Sequence, residues 1–379
     1  MKRGVMISLS PTSSSSLPIF VADSLRPYAE LSHYSPKEGR ARRYFTMART
    51  FHPSRKIWRD RFEAESEHRV AVWRRSSRLI QSAPEIQGAD FLVQLGLHFN
   101  GFPKGYRGGK YIFLHGTLSM LLNSHYECDM WLPPKPERAA WIDLEKEVLR
   151  AADAIFIGSK FLREVLTGFY GIPDSKIVYA GTGTPPLGFQ EVLSARPWGG
   201  GRLLFVGKDF ERKGGRILLQ AFEQVRRRFP DATLTIVGPK DLGVAAPDGV
   251  TLVGRVSDRA EMGRLFAAAD VFVLPTLHDS FGFVYLEAMH FGLPCVGTTI
   301  FAVPEIISHE ATGLLSEPGD AGSLAAALKR LLADPALAQW YGAAGAAKVK
   351  RDFVWADVGS RMAAACGLTN ESEGTLTSQ

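Results

Sequence analysis

The feature that most constrains the fold is the repeated alternation of short apolar runs with longer segments of helical periodicity. Such runs, rich in β-forming residues, predict strands at 91–95, 111–114, 154–157 and 176–179, and at 202–206, 233–237, 250–253, 271–274 and 294–296. Helical spacing lies between them, as in 137–152, 159–170 and 215–229. Because strands that alternate with helices pair in parallel, we predict an α/β protein with two doubly wound, Rossmann-like parallel sheets.

Turn-forming residues separate the two series of strands. Thr184-Pro-Pro-Leu-Gly188 and Arg196-Pro-Trp-Gly-Gly-Gly201 have the composition of a linker. A length of 379 residues also suits two hydrophobic cores better than one. The predicted organisation is an N-terminal domain (1–185), a linker (186–200), a C-terminal domain (201–350), a helix that crosses back to the N-terminal domain (351–366) and a disordered tail (367–379).

Cysteine content and hydropathy bear on location. The chain has three cysteines without paired spacing, which indicates neither a disulfide framework nor a structural zinc site. No apolar run approaches the roughly 18 residues that span a bilayer, and the Met1-Lys-Arg start is not followed by a signal core. These features predict a cytoplasmic protein, with peripheral attachment to the inner face of the membrane as an alternative.

A glycine- and lysine-rich segment follows the predicted strand 202–206. It reads Gly207-Lys208-Asp-Phe-Glu-Arg212-Lys213-Gly214-Gly215 and leads into a helix. Glycine lets a ligand approach the backbone, and both lysine and a helix N-terminus favour an anion, so the segment predicts a phosphate site. Its spacing matches neither the P-loop nor the dinucleotide fingerprint. We interpret Arg212 as a solvated neighbour of this site.

An acidic segment follows the predicted strand 271–274. In Asp279-Ser-Phe-Gly-Phe-Val-Tyr-Leu-Glu287-Ala, one acid lies in a loop and the other in a helix. In a doubly wound sheet such a loop lies at the carboxyl edge of the strands, where ligands bind. The order strand, acidic loop, helix therefore predicts a ligand site that includes Asp279 and Glu287.

Together these segments resemble the motifs of retaining GT-B glycosyltransferases of family 4, also called group 1. The family's acidic motif is matched by Asp279, Phe281-Gly282 and Glu287-Ala288, and its basic motif by Val206-Gly207-Lys208 and Lys213-Gly214. The resemblance is continuous from about 200 to 320 and weaker from about 90 to 183. It implies two Rossmann-like domains that face each other across a cleft.

The resemblance also implies a role for each matching residue. Lys208 and Lys213, with the backbone at Gly207, would contact the diphosphate of a nucleotide sugar. Glu287 would accept hydrogen bonds from the ribose hydroxyls, and Asp279 would contact the transferred sugar. His115 follows a predicted strand, where the family often has a histidine near the reacting sugar. The predicted catalytic residues are Asp279, Lys213 and His115; the predicted donor-binding residues are Lys208, Lys213, Phe281, Gly282, Glu287 and Gly207.

The predicted function is retaining transfer of a hexose from a UDP- or GDP-type sugar to an acceptor such as a lipid-linked or polysaccharide precursor. Cations at the leaving diphosphate would stabilise its developing charge. By resemblance, the reaction proceeds on one face of the sugar without a protein nucleophile. The chain has no Asp-x-Asp sequence, so no metal is expected, and no cofactor beyond the donor substrate. Ser159 follows the predicted strand 154–157 and is interpreted equally as the N-cap of the next helix or as a site contact.

Four departures from the family pattern keep alternatives open. Asp279 stands where glutamate is usual, which shortens the reach by about 1.5 Å, and Lys208 replaces an arginine fork with a point charge. Phe301-Ala302 stands where relatives commonly have Gly-Gly. The start of the chain predicts a first strand that is missing or unusual. The alternatives are a non-catalytic nucleotide-sugar-binding subunit of a glycan-assembly complex and an epimerase or phosphorylase of the same fold.

A strongly basic segment precedes the first predicted strand at 91–95. Residues 37–78 contain 13 Lys/Arg and 5 Asp/Glu, a net charge of +8 against +6 for the whole chain, with aromatic residues interleaved. The alternatives are a solvated helical face, contact with an acidic acceptor or anionic membrane, and nucleic-acid binding. No nucleic-acid-binding module accompanies the segment, so nucleic acid is not an expected partner.

Overall fold

The computed structural model describes residues 1–9, 17–36, 40–124, 132–185 and 198–368. These residues form two compact units. The first contains the described residues as far as Gly183, apart from Ser124, and those from Trp355 onward; the second contains Thr184–Val354. The predicted linker and the predicted tail lie largely outside the described residues, and the predicted domain boundaries stay predictions.

The first unit is built on a six-stranded sheet in which the described strands are parallel to their neighbours. Its strands are β1 (Arg3–Ile7), β2 (Glu30–Tyr34), β3 (Phe91–Leu95), β4 (Gly109–Leu114), β5 (Ala154–Ile157) and β6 (Ile177–Tyr179). They are arranged in the order β2-β1-β3-β4-β5-β6. Strand β5 is buried along its whole length, as expected for a parallel sheet covered on both faces.

The second unit contains a second six-stranded parallel sheet. Its strands are β7 (Arg202–Val206), β8 (Thr233–Val237), β9 (Val250–Gly254), β10 (Val271–Val273), β11 (Cys295–Thr298) and β12 (Gly313–Ser316). Their order is β12-β11-β10-β7-β8-β9. The predicted α/β class with two doubly wound parallel sheets is confirmed.

Helices connect the strands in both units. Those described are α1 (Leu17–Leu25), α2 (Arg40–Arg49), α3 (Arg55–Glu67), α4 (Val70–Gln81), α5 (Pro84–Gln87), α6 (Leu118–Leu122), α7 (Arg138–Ala151), α8 (Phe161–Gly168), α9 (Gly215–Arg226), α10 (Arg259–Ala268), α11 (Phe283–His290), α12 (Val303–Ile306), α13 (Ala321–Ala333), α14 (Pro335–Asp352) and α15 (Trp355–Ala365). Among the described helices, none combines the length and apolar character needed to cross a bilayer.

The start of the chain corrects one prediction. A missing or unusual first strand was expected, but β1 is a regular strand that pairs with both β2 and β3. Val5, Met6 and Ile7 are buried, so the strand lies in the core of the first unit. The short apolar run is enough to form a strand, because the strands on both sides of it supply hydrogen bonds.

Helix α15 belongs to the first unit, where it packs against α1. The close approach depends on Gly359, because a Cβ at this position would lie 1.9 Å from the carbonyl oxygen of Ser24. Val358 and Met362 of the helix are fully buried in the same core. The end of the chain therefore stabilises the unit with which the chain begins.

An ion pair fixes the amino ends of the two central strands of the second sheet. Arg202, the first residue of β7, donates from its guanidinium to both carboxylate oxygens of Asp270, at 2.7 and 3.1 Å. The backbone N–H of Arg202 also donates to Asp270, at 2.9 Å. Because β7 and β10 are held together here, the loops at their opposite ends emerge side by side.

Candidate functional site

The second sheet reverses its strand order between β7 and β10. From β7 the chain builds outward through β8 and β9, and it then returns to the other side of β7 to build β10, β11 and β12. In open α/β sheets, ligands bind outside the carboxyl ends of the strands at such a reversal. The loops that follow β7 and β10 therefore form the candidate site, and both sequence motifs lie in them.

These two loops are held in direct contact. Gly214 has a φ of 74°, and a Cβ on it would lie 1.8 Å from the carbonyl oxygen of Pro275, so no larger residue fits without movement. The Leu277 N–H donates to the carbonyl oxygen of Arg212 at 2.9 Å. In return, the Arg212 side chain donates to the carbonyl oxygen of His278 at 2.8 Å and to the Asp209 carboxylate at 3.1 Å. Arg212 is therefore not a solvated neighbour, because its guanidinium joins the two loops.

The contact between the loops brings Lys213 and Asp279 together. The Lys213 ammonium donates to the Asp279 carboxylate, and both side chains are more than four-fifths buried. Burial alone would raise the pKa of Asp279, but the charges of Lys213 and Arg212 outweigh it and hold that pKa below its ordinary value. Asp279 is therefore ionised, and the site presents a cation and an anion side by side.

Lys208 differs from Lys213 in its environment. It follows Gly207, whose N–H donates to the carbonyl oxygen of Val237 at 2.9 Å. The Lys208 side chain is exposed, and the structure describes no ion pair for it. An exposed cation next to a buried ion pair can accept an incoming anion without first losing a partner.

Glu287 is the fifth residue of α11, which starts after Gly282 in the left-handed conformation at a φ of 93°. Its side chain is half-buried, and no described residue donates a hydrogen bond to its carboxylate. Burial raises its pKa to about 7, with a smaller opposing effect from the charge of Arg259. A carboxylate of this kind is desolvated and has its acceptor capacity unused.

His278 is a site residue that the sequence motifs do not include. It is buried, and burial together with the charge of Arg212 lowers its pKa to about 4, so the ring is neutral at physiological pH. Its Nδ1 atom has no hydrogen-bond partner among the described residues. The only sequence signal for it is its position next to Asp279.

Two phenylalanines around the acidic loop, Phe281 and Phe301, make mainly structural contacts. Phe281 is 3% exposed and packs against Phe283 and Phe353 in the core of the second unit. Phe301 adopts a φ of 48°, a conformation that glycine takes more easily, and its ring meets the edge of His278 at a centroid distance of 5.0 Å. The predicted roles of Phe281 and Gly282 in donor binding stay predictions.

His115 belongs to the first unit, where it follows β4. Its Nε2 atom is hydrogen-bonded to the Thr182 hydroxyl at 2.7 Å, and the ring packs over Gly158, where a Cβ would lie 2.2 Å from the imidazole. Ser159 does not cap α8, because its buried hydroxyl has no hydrogen-bond partner among the described residues. The structure thus groups Gly207, Lys213 and Asp279 in the second unit and places His115 in the first.

Comparison with known proteins shows which proteins the residues around the candidate site resemble. Residues 200–334 match the family model of the group 1 glycosyl transferases. The glycogen synthase of Mycobacterium tuberculosis is 29% identical over 229 residues, which cover 58% of this chain and 55% of that protein. The chain spans about half the length of this curated relative. Residues 200–334, which the family model matches, include both loops of the candidate site and the helices that follow them.

Solved structures extend the likeness to nearly the whole chain. Sucrose-phosphate synthase from Thermosynechococcus elongatus has a TM-score of 0.70 at 20% identity, covering 96% of this chain and 98% of that one. Anabaena HepE, determined in complex with UDP-glucose, has a TM-score of 0.64 at 15% identity, covering 97% and 100%. At these identities the likeness establishes the GT-B fold. The match to the group 1 glycosyl transferases concerns residues 200–334.

Proposed function

We propose that the protein transfers a sugar from a nucleoside diphosphate sugar to an acceptor, with retention of configuration. The observation that carries the proposal is the pairing of Lys213 with Asp279 at the strand-order reversal of the second sheet. A nucleotide sugar has a diphosphate next to a ring of hydroxyl groups. A lysine complements the charge of the diphosphate, and a neighbouring carboxylate can accept hydrogen bonds from the hydroxyl groups.

Binding of the donor would exchange the partners of the ion pair. The diphosphate would accept hydrogen bonds from Lys213 and from the exposed Lys208, while Asp279 would accept a hydrogen bond from a sugar hydroxyl. The two charges are then each satisfied by the ligand, so loss of their direct contact costs little. As the bond to the sugar breaks, negative charge grows on the diphosphate, and both lysines stabilise it.

Glu287 would bind the ribose of the nucleotide. Its carboxylate is half-buried and lacks a hydrogen-bond donor among the described residues, and a ribose offers two adjacent hydroxyl groups. Hydrogen bonds from these hydroxyls favour the ionised form and would lower the pKa of Glu287 from about 7. Affinity for the nucleotide is therefore expected to weaken as the pH falls below 7.

The relatives support a nucleotide sugar as the donor without fixing the base, the sugar or the acceptor. The HepE complex contains UDP-glucose, which is the type of ligand proposed here. Retention of configuration and assistance by the departing phosphate are taken from the resemblance to family 4. His115 is proposed to act near the reacting sugar, with its ring held by Thr182.

One observation favours a second candidate, a subunit that binds nucleotide sugars without turnover. Phe301 places an aromatic ring against His278, the residue before Asp279, in a backbone conformation that favours glycine. A non-catalytic subunit would bind a nucleoside diphosphate but would never cleave a nucleotide sugar. Binding and cleavage therefore have to be measured separately.

Thermal denaturation tests the binding step. UDP or GDP at millimolar concentration, without magnesium, is expected to raise the melting temperature, because a ligand that binds only the native state stabilises it. The increase should be lost in Lys213→Ala and kept in Arg227→Gln, which changes an exposed cation just after the end of α9, outside the site. Absence of any shift with UDP, GDP and ADP would contradict the assignment of the donor site.

A further inference from the structure

Helices α2 and α3 present an unusual surface in the first unit. We define the α2–α3 surface by its exposed apolar and basic side chains: Tyr44, Phe45, Arg49, Phe51, Arg55, Ile57 and Arg61. Trp58 connects the two helices, because its indole N–H donates to the carbonyl oxygen of Met47 at 2.9 Å. Arg49 also pairs with Glu65 across the same contact. The surface is thus part of an ordered helix pair.

Helix α2 exposes aromatic side chains and buries threonines, which is the reverse of an ordinary surface helix. Tyr44 and Phe45 are 69% and 68% exposed, whereas Thr46 and Thr50 are 9% and 5% exposed. Thr50 satisfies its buried hydroxyl by donating to the carbonyl oxygen of Thr46 at 2.8 Å. A helix that only packed on a globular core would bury its aromatic rings and expose its hydroxyls. The arrangement is explained if the aromatic rings are buried against something outside this chain.

The helix pair also exposes basic side chains. Phe51 is 62% exposed and lies two residues after the end of α2, with its ring in edge contact with Trp58 at 5.6 Å. Arg55 and Arg61 on α3 are exposed, and the structure describes no ion pair for either of them. A helix pair that exposes aromatic rings, together with cations for which no ion pair is described, is complementary to a surface that is anionic at its boundary and apolar beneath it.

We propose that the α2–α3 surface docks on a membrane that contains anionic lipid, with Tyr44, Phe45 and Phe51 at the headgroup level. Arg55 and Arg61 would contact lipid phosphates. Proteins that bind single-stranded nucleic acid use a groove that follows the backbone and stacks successive bases. Here the aromatic side chains project from the outer face of a helix, which is the arrangement that interfacial helices present to headgroups.

Vesicle flotation tests the proposal with the full chain. Vesicles of phosphatidylcholine with roughly one-third phosphatidylglycerol should carry the protein at low salt, and pure phosphatidylcholine vesicles should not. Arg55→Gln combined with Arg61→Gln should weaken binding by about 25-fold, since each cation near an anionic surface contributes about fivefold. Tyr44→Ser combined with Phe45→Ser should weaken binding at least about tenfold, including the part that resists added salt.

Matched controls distinguish binding by the α2–α3 surface from nonspecific binding by any exposed cation or aromatic residue. Two control variants of the second unit should bind vesicles like the wild type: Arg227→Gln, which changes an exposed cation just after α9, and Trp340→Ser, which changes an exposed aromatic residue of α14. All variants should keep the melting shift with UDP or GDP, so failure here is separable from failure of the proposed donor site. Equal flotation of wild type and both surface variants, no flotation at all, or tight binding to an oligonucleotide in place of vesicles would overturn the proposal.

Discussion

At Glu287, folding and binding make opposite demands. The fold removes water from its carboxylate without supplying a hydrogen-bond donor among the described residues, and this raises its pKa to about 7. The folded protein therefore holds a proton there more tightly than the unfolded chain, in which a glutamate titrates near its ordinary value of about 4.3. The residue contributes least to stability where it is ionised, which is the state that the proposed ribose contact needs.

The raised pKa of Glu287 predicts that the effect of Glu287→Gln on stability depends on pH. As the pH rises from about 4.5 to about 7, the wild type loses stability because the buried carboxylate ionises, whereas glutamine cannot ionise. The variant should therefore be more stable than the wild type at pH 8, by about 1 kcal/mol after allowance for partial exposure, and the gain should shrink towards pH 5. Urea denaturation at both pH values measures this, with the exposed Glu261→Gln as control. An equal gain at pH 5 and pH 8 would show that burial of the charge is not the cause.

The loops after β7 and β10 act as one element because of Gly214. Its left-handed backbone and its contact with Pro275 set the distance between the two loops, and this distance brings Lys213 to Asp279. The ion pair at the other end of these strands, between Arg202 and Asp270, keeps the strands in place. The geometry of the site thus depends on contacts at both ends of β7 and β10: the ion pair at their amino ends and the packing of Gly214 on Pro275 at their carboxyl ends.

Substitution of two glycines tests this role. Gly319→Ala is the control, because Gly319 also has a positive φ of 80° but no atom lies near the place of its Cβ, so only the cost of the left-handed conformation, about 1 kcal/mol, is expected. Gly214→Ala carries the same cost plus a clash with Pro275 and should lose at least about 3 kcal/mol. Chemical denaturation gives the stabilities, and the melting shift with UDP or GDP gives binding, which only Gly214→Ala should lose. Similar losses in both variants would mean that the close contact does not hold the loops.

At the level of elements, the sequence predicted strands whose side chains are mainly apolar. Strands β3, β5, β7 and β8 have the predicted limits, because a strand buried on both faces in a parallel sheet reads as one apolar run. Strand β2 was not predicted: Glu30 and His33 are exposed, and the strand lies at the edge of its sheet. Strand β12 lies at the edge of the other sheet and was also not predicted, because its apolar run contains only Leu314 and Leu315. Such edge strands are specified by their neighbours more than by their own residues.

For the whole molecule, the motifs predicted a ligand site in the loops after β7 and β10, but they did not predict the contacts between the residues of these loops. Lys213 and Asp279 are 66 positions apart, and their ion pair depends on the order in which the strands assemble. Arg212 and His278 could not be predicted as site residues, because their contacts are made to backbone atoms and an aromatic ring of distant segments. Burial of the Glu287 carboxylate likewise follows from packing around α11. Sequence spacing alone carries no information on these contacts.

Cleavage of a nucleotide sugar tests the central claim most directly, because slow hydrolysis of the donor needs no known acceptor. Mass spectrometry of UDP-, GDP- and ADP-sugars incubated with the protein should reveal at least one that is hydrolysed. Lys213→Ala and Glu287→Gln should each reduce that rate by at least about 100-fold, the size expected for a lost charged contact in the transition state, while Arg227→Gln should not. Hydrolysis at the wild-type rate in both site variants, or no hydrolysis of any donor, would contradict the account of this site as the catalytic centre of a glycosyltransferase.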